Sequence, residues 1–316
     1  MAKYRHALPN LKESLFITDG GLETALVFNE GIDLPEFAAF VLLENVRGRD
    51  ILANYFRHYL DIATTNRVGI ILETPTWRAS HDWGEKTGHS AEVLERLNLD
   101  AVQLLASLRA AHETDDTPVV ISGCIGPRGD GYAIDEKLSV DEAASYHATQ
   151  INTLSRSEAD LVTAFTLNYS AEALGMARAA ANADMPIVIG FTVETDGRLP
   201  SGQSLAEAIE EVDSESDVTP AYYMINCAHP THFSDALAEG ESWQARIHAV
   251  RANASCKSHA ELDAATELDA GNPEELGLQY RELRTSLKNL HVCLLYTSDA
   301  ADDDYTVLVW GGGGGW

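Results

Sequence analysis

Short apolar segments rich in β-branched residues alternate with longer amphipathic segments along this chain, and seven such pairs follow one another. Segments such as GIILE and IVIGF are apolar on both faces, which is typical of parallel strands buried on both sides of a sheet. The intervening segments have helical periodicity and suit crossover helices. The predicted strands are Leu15–Thr18, Val68–Leu72, Val119–Ser122, Leu161–Phe165, Ile187–Thr192, Tyr222–Asn226 and Ile247–Ala252.

The helical segments carry recognisable start signals. Ser139 with Glu142 three residues later matches the capping-box pattern, and Asn272 caps a segment that begins with Pro273. The predicted helices are Glu44–Thr65, Ser90–His112, Ser139–Ser157, Ser170–Asn182 and Pro273–Lys288.

This alternation favours an α/β fold of the (β/α)8 TIM-barrel class. The chain has 316 residues, which suits such a barrel, whereas an open doubly wound sheet usually has about five to seven strands. No G-x-G-x-x-G or G-x-x-x-x-G-K-[ST] motif is present, which weakens the nucleotide-binding alternative. We assign residues 1–292 to the barrel.

The segment after Val292 differs in composition from the rest of the chain. It contains an acidic run at Asp302–Asp304 and a glycine run at Gly311–Gly315 before Trp316. Neither run supplies an apolar face. We therefore interpret residues 293–316 as an aberrant or disordered tail and predict that the eighth strand is aberrant.

The charge balance disfavours several classes of partner. The chain has 49 acidic and 22 basic residues, a formal charge of −27, which argues against binding to nucleic acid or to an anionic membrane. It contains no apolar run of the ~18 residues that a membrane span requires and no apolar N-terminal signal segment. The four cysteines form no C-x-x-C pair, so the reducing cytoplasm is the expected compartment. The sequence does not indicate an oligomeric state.

Polar residues that follow the strands are the candidates for function, because barrel active sites lie at the carboxyl ends of the strands. Asp19, followed by Gly20 and Gly21, comes after the first strand and combines a carboxylate with a backbone that a ligand can approach closely. Glu73 follows the second strand. The structural alternatives are a tight turn at the two glycines and a salt bridge from Glu73 to Arg78 or to a neighbouring loop.

Cysteines follow two further strands. Cys124 lies in a glycine-dense loop, where a small buried side chain is the alternative to a ligand. Cys227 follows Asn226 at the end of the sixth strand, a good position for a nucleophile or a metal ligand. His229 and His232 are close enough in sequence for a Cys/His zinc site. The alternatives are a packed thiol and loop histidines without a metal.

Seven segments, in order, carry a resemblance to a known family. They are Ile17–Thr24, Leu72–Ser80, Gly123–Tyr132, Ala159–Ala173, Phe191–Gly202, Met224–Phe233 and Arg251–Asp263. Together they resemble the homocysteine S-methyltransferase family of zinc-dependent (β/α)8 barrels. The resemblance implies transfer of a methyl group from an activated donor, such as S-methylmethionine or S-adenosylmethionine, to the thiol of homocysteine or a related thiol, giving methionine. It also implies Zn²⁺ held by three cysteines, with the substrate sulfur as the fourth ligand.

The resemblance implies roles for individual positions. Cys227 matches the first zinc cysteine, and Asn226 is expected to orient the same turn. Asp19, Gly20 and Gly21 match the family's Asp-Gly-Gly loop at the homocysteine site.

Thr166 departs from the family pattern, because many members carry at this position a glutamate that holds the amino group of homocysteine. A neutral hydroxyl cannot pair with an ammonium group as a carboxylate does. We therefore expect Glu73 or Glu194 to supply the negative charge from another strand, and we place Glu73 among the substrate-binding residues.

The second departure concerns zinc. The remaining two zinc cysteines should follow Val292 as an adjacent pair, and only Cys293 is present there. We expect Cys293 to lie too deep, or to point the wrong way, to join Cys227. Two cysteine ligands would leave tetrahedral zinc one protein ligand short. The alternative to an active methyltransferase is a catalytically inactive barrel that binds a small molecule. A metal-independent lyase with Glu73 as base ranks last, since no lysine follows a strand.

Overall fold

Eight parallel strands close into a barrel in the computed structural model, and neighbours in the barrel are neighbours in the sequence. The structure describes residues 1–12, 14–134, 136–215, 219–237, 241–265 and 268–294. The strands are β1 Phe16–Thr18, β2 Gly69–Glu73, β3 Val119–Ile125, β4 Leu161–Leu167, β5 Ile187–Phe191, β6 Tyr222–Asn226, β7 Ile247–Arg251 and β8 Val292–Leu294. The predicted (β/α)8 fold and its first seven strands are confirmed.

The eighth strand differs from the sequence-based expectation of an aberrant strand. Val292–Leu294 pairs in parallel with both β1 and β7, and Cys293 lies opposite Ile17 on one side and Val250 on the other. Because it pairs with both of these strands, this short segment closes the barrel. The rest of the predicted tail, residues 295–316, lies outside the described residues, so the domain boundary stays a prediction.

Helices connect the strands, and the capping signals read from the sequence operate as predicted. Ser139 and Glu142 form a reciprocal capping box, and the Asn272 side chain accepts hydrogen bonds from the backbone of Glu274 and Glu275. No helix among the described residues is long and apolar enough to cross a membrane. The α-helices are α1 Leu22–Thr24, α2 Val46–Asn66, α3 His81–Thr87, α4 Ala91–His112, α5 Val140–Ser155, α6 Ser170–Asn182, α7 Leu205–Asp213, α8 Pro230–Phe233, α9 His259–Asp263 and α10 Pro273–Ser286.

Side chains along each strand alternate between two apolar layers. The layer inside the barrel includes Phe16, Val188 and Val292, whereas the layer between strands and helices includes Ile17 and Cys293. This alternation is the ordinary consequence of strand geometry. Because Val292 faces inward, Cys293 faces the surrounding helices.

The amino-terminal residues close one end of the barrel. Leu8 packs into the inner layer, and the Asn10 amide donates a hydrogen bond to the buried Tyr222 hydroxyl at 3.1 Å. The carboxyl ends of the strands are therefore the end at which a ligand can enter.

Candidate active site

A cavity of about 550 Å³ opens at the carboxyl ends of the strands. Residues at the ends of β2, β3, β4, β6 and β7, and in the loops that follow these strands and β1, line it. Cys124, near the end of β3, is among them. The structure thus brings together six of the residues that the sequence singled out for the site, although their roles stay predictions. They are Asp19, Gly20, Gly21, Glu73, Asn226 and Cys227.

The Asp19 carboxylate is buried and held by protein groups on both oxygens. Oδ1 accepts a hydrogen bond from the Glu73 backbone N–H at 3.3 Å, and Oδ2 accepts one from the Tyr55 hydroxyl at 3.3 Å. The guanidinium of Arg251 lies 3.7 Å from Oδ2. Burial raises the pKa of Asp19, while Arg251 opposes that rise.

Arg251, the last residue of β7, is a site residue that sequence reasoning missed. Its Nη2 donates to the carbonyls of Asp19 at 2.9 Å and Gly20 at 2.7 Å, so it fixes the loop after β1. Its guanidinium lies 4.7 Å from the centre of the Phe165 ring. An arginine ending the otherwise uncharged strand IHAVR is the signal that could have identified it.

Glu73 ends β2 and is only 5% exposed. Its Oε1 accepts a hydrogen bond from the Thr163 hydroxyl at 3.2 Å, whereas Oε2 is buried and has no hydrogen-bond partner. Burial raises the pKa of Glu73 to about 7, although Arg251 opposes the rise. The predicted alternative, a salt bridge to Arg78, is wrong, because Arg78 pairs with Asp130 at 3.7 Å.

Cys227 follows β6 and presents a partly exposed thiol to the cavity. Its φ of 55° is in the left-handed region, which is uncommon for a residue other than glycine. The Asn226 amide donates to its Sγ at 3.1 Å, and the Thr166 hydroxyl lies 3.9 Å from the same sulfur. Its carbonyl accepts a hydrogen bond from His259 Nε2 at 2.6 Å.

Thr166 and Asn226 form a reciprocal pair next to this thiol. The Thr166 N–H donates to Asn226 Oδ1 at 3.1 Å, and Asn226 Nδ2 donates to the Thr166 hydroxyl at 3.0 Å. Thr166 has a φ of 61°, a strained conformation for a β-branched residue. The strained backbone and the amide together fix the position of the Cys227 sulfur.

Three candidates from the sequence, Glu194, His229 and His232, are not part of the cavity lining. Glu194 contacts His259 Nδ1 at 3.2 Å and does not line the cavity. The His229 side chain caps α8, and His232 lies 3.0 Å from the Cys256 carbonyl. A zinc site built from Cys227 and these two histidines is therefore not formed.

The described residues do not fit a complete zinc site. Among them, no group of three or more His, Cys, Asp and Glu residues is placed to hold a metal ion. Cys293 faces the helices, as its position in the outer layer shows, and Cys124 is buried with a pKa well above that of an ordinary thiol. Cys124 and Cys227 both line the cavity, but catalytic zinc needs three protein ligands.

In (β/α)8-barrel enzymes the active site lies at the carboxyl ends of the strands, which is where this cavity opens. The family model of homocysteine S-methyltransferase matches residues 16–292, and the chain belongs to this family of methyltransferases. A search of curated proteins finds no match.

Solved structures with the same fold include the homocysteine methyltransferase MmuM from Escherichia coli. Its metallated form is 20% identical, with coverage of 92% of this chain and 95% of that chain, at a TM-score of 0.69. Its oxidized form is 18% identical, with coverage of 97% and 98%, at a TM-score of 0.71. At these identities the likeness establishes the fold.

Proposed function

We propose that this methyltransferase moves a methyl group from an activated donor to the thiol of homocysteine, or of a related thiol, forming methionine. The observation that carries the proposal is the position of the Cys227 sulfur in the same cavity as the Asp19-Gly20-Gly21 loop. In this proposal the loop, Glu73 and Asn226 belong to the substrate site.

The donor fits a sulfonium compound such as S-methylmethionine or S-adenosylmethionine. When a thiolate attacks the methyl carbon of a sulfonium, the leaving group is a neutral thioether and needs no general acid. A free thiol has a pKa near ~8.5, so the substrate must lose its proton for the attack. The protein's own contribution is to bind the thiol, orient it and limit its contact with water.

We propose Cys227 as a ligand of Zn²⁺, as its match to the family implies. Asn226 would then act as a positioning residue, because its amide N–H already donates to the Cys227 sulfur. The described residues do not supply the three protein ligands that catalytic zinc needs. By themselves they support binding and orientation of the thiol. The four cysteines are free thiols, which suits the reducing cytoplasm that we propose as the compartment.

A second candidate function is binding without methyl transfer. It is favoured because the described residues place no group of three His, Cys, Asp or Glu side chains where they could hold a metal ion. In this case the barrel holds the thiol ligand but does not activate its sulfur.

Methionine formation from homocysteine and a donor with a deuterated methyl group separates these two functions. We would assay the chain as it stands and a repaired chain in which Gly-Gly-Cys-Cys replaces residues 293–296, both with one equivalent of Zn²⁺. Labelled methionine from the repaired chain alone would support the proposed activity and assign the second function to the unrepaired chain. A repaired chain that holds zinc and homocysteine but forms no methionine would contradict methyl transfer.

A further inference from the structure

His259, the first residue of α9, contacts three loops besides its own at the carboxyl ends of the strands. It lies in the segment after β7, is 7% exposed and lines the cavity. Its Nε2 lies 2.6 Å from the Cys227 carbonyl after β6, and its Nδ1 lies 3.2 Å from Glu194 Oε1 after β5. Its ring contacts the ring of Tyr132 after β3, with 4.3 Å between the centroids. His259 therefore joins the loops after β3, β5, β6 and β7.

The backbone of Cys227 is held from the side of β7. Its carbonyl can only accept hydrogen bonds, so the His259 Nε2 next to it is a donor. The Asn253 amide donates to the same carbonyl at 3.1 Å, and the Cys227 N–H donates to the Arg251 carbonyl at 3.0 Å. A strained φ such as the 55° of Cys227 persists only where the surroundings hold it. His259 is thus one of the groups that keep Cys227 in this conformation.

The loop after β3 also reaches the side chain of Cys227. Gly131 lies against Thr166, because a Cβ at this glycine would be 2.8 Å from Thr166 Cγ2. Thr166 is paired with the Asn226 amide, which donates to the Cys227 sulfur. Gly131 therefore supports the pair that holds the sulfur, and the next residue, Tyr132, contacts the histidine that holds the carbonyl.

Other parts of the barrel anchor this loop. The Arg128 N–H donates to Glu172 Oε1 on α6 at 2.8 Å, and the Asn168 amide after β4 donates to the Asp130 carbonyl at 3.1 Å. Glu172 is 2% exposed, and its Oε1 lies 2.9 Å from His147 Nε2 on α5. These anchors allow the loop to act as a support for the residues that it touches.

We propose that Tyr132 and His259 are positioning residues for Cys227. The loop after β3 holds the Cys227 backbone through these two rings and the sulfur through Gly131 and Thr166. The inference rests on the proposed function for the use that it gives this sulfur, whereas the positioning itself can be measured in the zinc-free chain. It gives a role to two residues that the proposed reaction does not otherwise use.

Alkylation of the zinc-free, full-length chain by iodoacetamide tests the proposal. Mass spectrometry of the peptides gives the rate at each cysteine separately. The Cys227 thiol is only partly exposed, so its rate should rise when the turn opens locally. Cys293 is buried between the strands and the helices and reports global unfolding instead.

Three variants test the route through the two rings. His259→Ala removes the hydrogen bond and the ring contact, and it should raise the alkylation rate of Cys227 about 5- to 10-fold. His259→Gln keeps an amide N–H for the carbonyl and should react about 3-fold more slowly than His259→Ala. Tyr132→Leu removes only the ring contact and should raise the rate about 2- to 5-fold. The rate at Cys293 should stay within about twofold of wild type in all three.

Gly131→Ala and Gly129→Ala form a matched pair on the same loop and test the route to the sulfur. A Cβ at Gly131 would press on Thr166, whereas nothing lies within 4 Å of a Cβ at Gly129. Gly131→Ala should therefore raise the alkylation rate of Cys227 about 5-fold. Gly129→Ala should leave this rate within about twofold of wild type.

Unchanged Cys227 rates in both His259→Ala and Gly131→Ala would overturn the proposal. Equal acceleration at Cys227 and Cys293 would also overturn it, because the substituted residues would then only support the fold. If His259→Ala fails to fold, His259→Gln, Tyr132→Leu and the glycine pair still decide. The deuterated-methyl assay judges the proposed function separately: a repaired chain that forms no methionine, together with the expected alkylation rates, would refute methyl transfer and support the positioning.

Discussion

Two sides of the cavity differ in the charge of their side chains and in how these side chains are held. The charged side is formed by Asp19, Glu73 and Arg251, which are three of the charged residues that line the cavity, and the neutral side is formed by Thr166, Asn226 and Cys227. The charged side lies on β1, β2 and β7 and is stabilised by an ion pair and hydrogen bonds. The neutral side lies on β4 and β6 and fixes its groups by left-handed backbone at two residues and one bridging amide.

This difference shows how one cavity can both recognise a charged group and position a sulfur. Buried charges recognise a charged head group strongly, but they reduce stability where they are incompletely paired. Strained backbone positions a sulfur without adding charge beside it, at an expense of about 1–3 kcal/mol for each residue. Under the proposed function, the charged side selects the substrate, and the neutral side positions the Cys227 sulfur.

The largest expected effect concerns Cys227 on the neutral side. In the repaired chain with Gly-Gly-Cys-Cys at 293–296, Cys227→Ala should abolish zinc binding and methionine formation, whereas the unrepaired chain should bind zinc weakly and form none. Metal analysis and the deuterated-methyl assay measure both quantities. Cys256→Ala is the control, since Cys256 is exposed and outside the cavity lining.

The zinc-free stability of Cys227→Ala distinguishes a ligand from a packed thiol. If the partly exposed sulfur acts as a ligand, its removal should change the free energy of unfolding by less than about 1 kcal/mol. A loss of several kcal/mol in urea unfolding without zinc would instead identify Cys227 as a core residue.

Arg251→Met tests the charged side. The change should lower the free energy of unfolding by about 3–5 kcal/mol, because it leaves Asp19 as an uncompensated buried charge and releases two backbone carbonyls. Urea unfolding at pH 7.5 gives the value. Arg246→Met is the matched control and should lose about 1 kcal/mol, since its ion pair with Asp213 is partly solvated. Equal losses of unfolding free energy in the two variants would contradict the expectation that the buried Asp19–Arg251 pair contributes more than the partly solvated Asp213–Arg246 pair.

Glu73→Gln should stabilise the protein at neutral and higher pH. The carboxyl has a pKa of about 7 in the fold and 4.5 when unperturbed. The unfolded chain therefore ionises first, and stability falls as the pH rises from 4.5 to 7. The variant should be roughly 2–3 kcal/mol more stable than wild type at pH 8 and nearly equal at pH 4. Thermal unfolding at both pH values measures this, and a destabilised variant at pH 8 would contradict it.

Gly190 leaves room for the bridging amide on the neutral side. A Cβ at this position would lie 2.7 Å from Asn226 Oδ1 and 2.9 Å from the Ala164 carbonyl. Gly190→Ala should therefore destabilise the fold by about 1–3 kcal/mol. Gly277→Ala in α10 should instead stabilise it by up to ~1 kcal/mol, because nothing lies within 4 Å of its Cβ. Chemical denaturation of both variants tests the contrast.

Local patterns in the sequence predicted most of the secondary structure. The apolar strands, the capping box at Ser139 and Glu142, and the cap at Asn272 all depend on neighbouring residues, so they can be read before folding. The short β8 was harder to anticipate, because three residues become a strand only when β1 and β7 stand ready to pair with them.

The sequence by itself determined which residues reach the carboxyl end of the barrel, because their place after a strand fixes that end. Tertiary structure decided which of them act together. Arg251 contacts a loop 232 residues earlier in the chain, and local periodicity cannot reveal such a contact. Closure of the barrel also set the register that turns Cys293 outward. The unpartnered oxygen of Glu73 likewise depends on what every neighbouring strand places beside it.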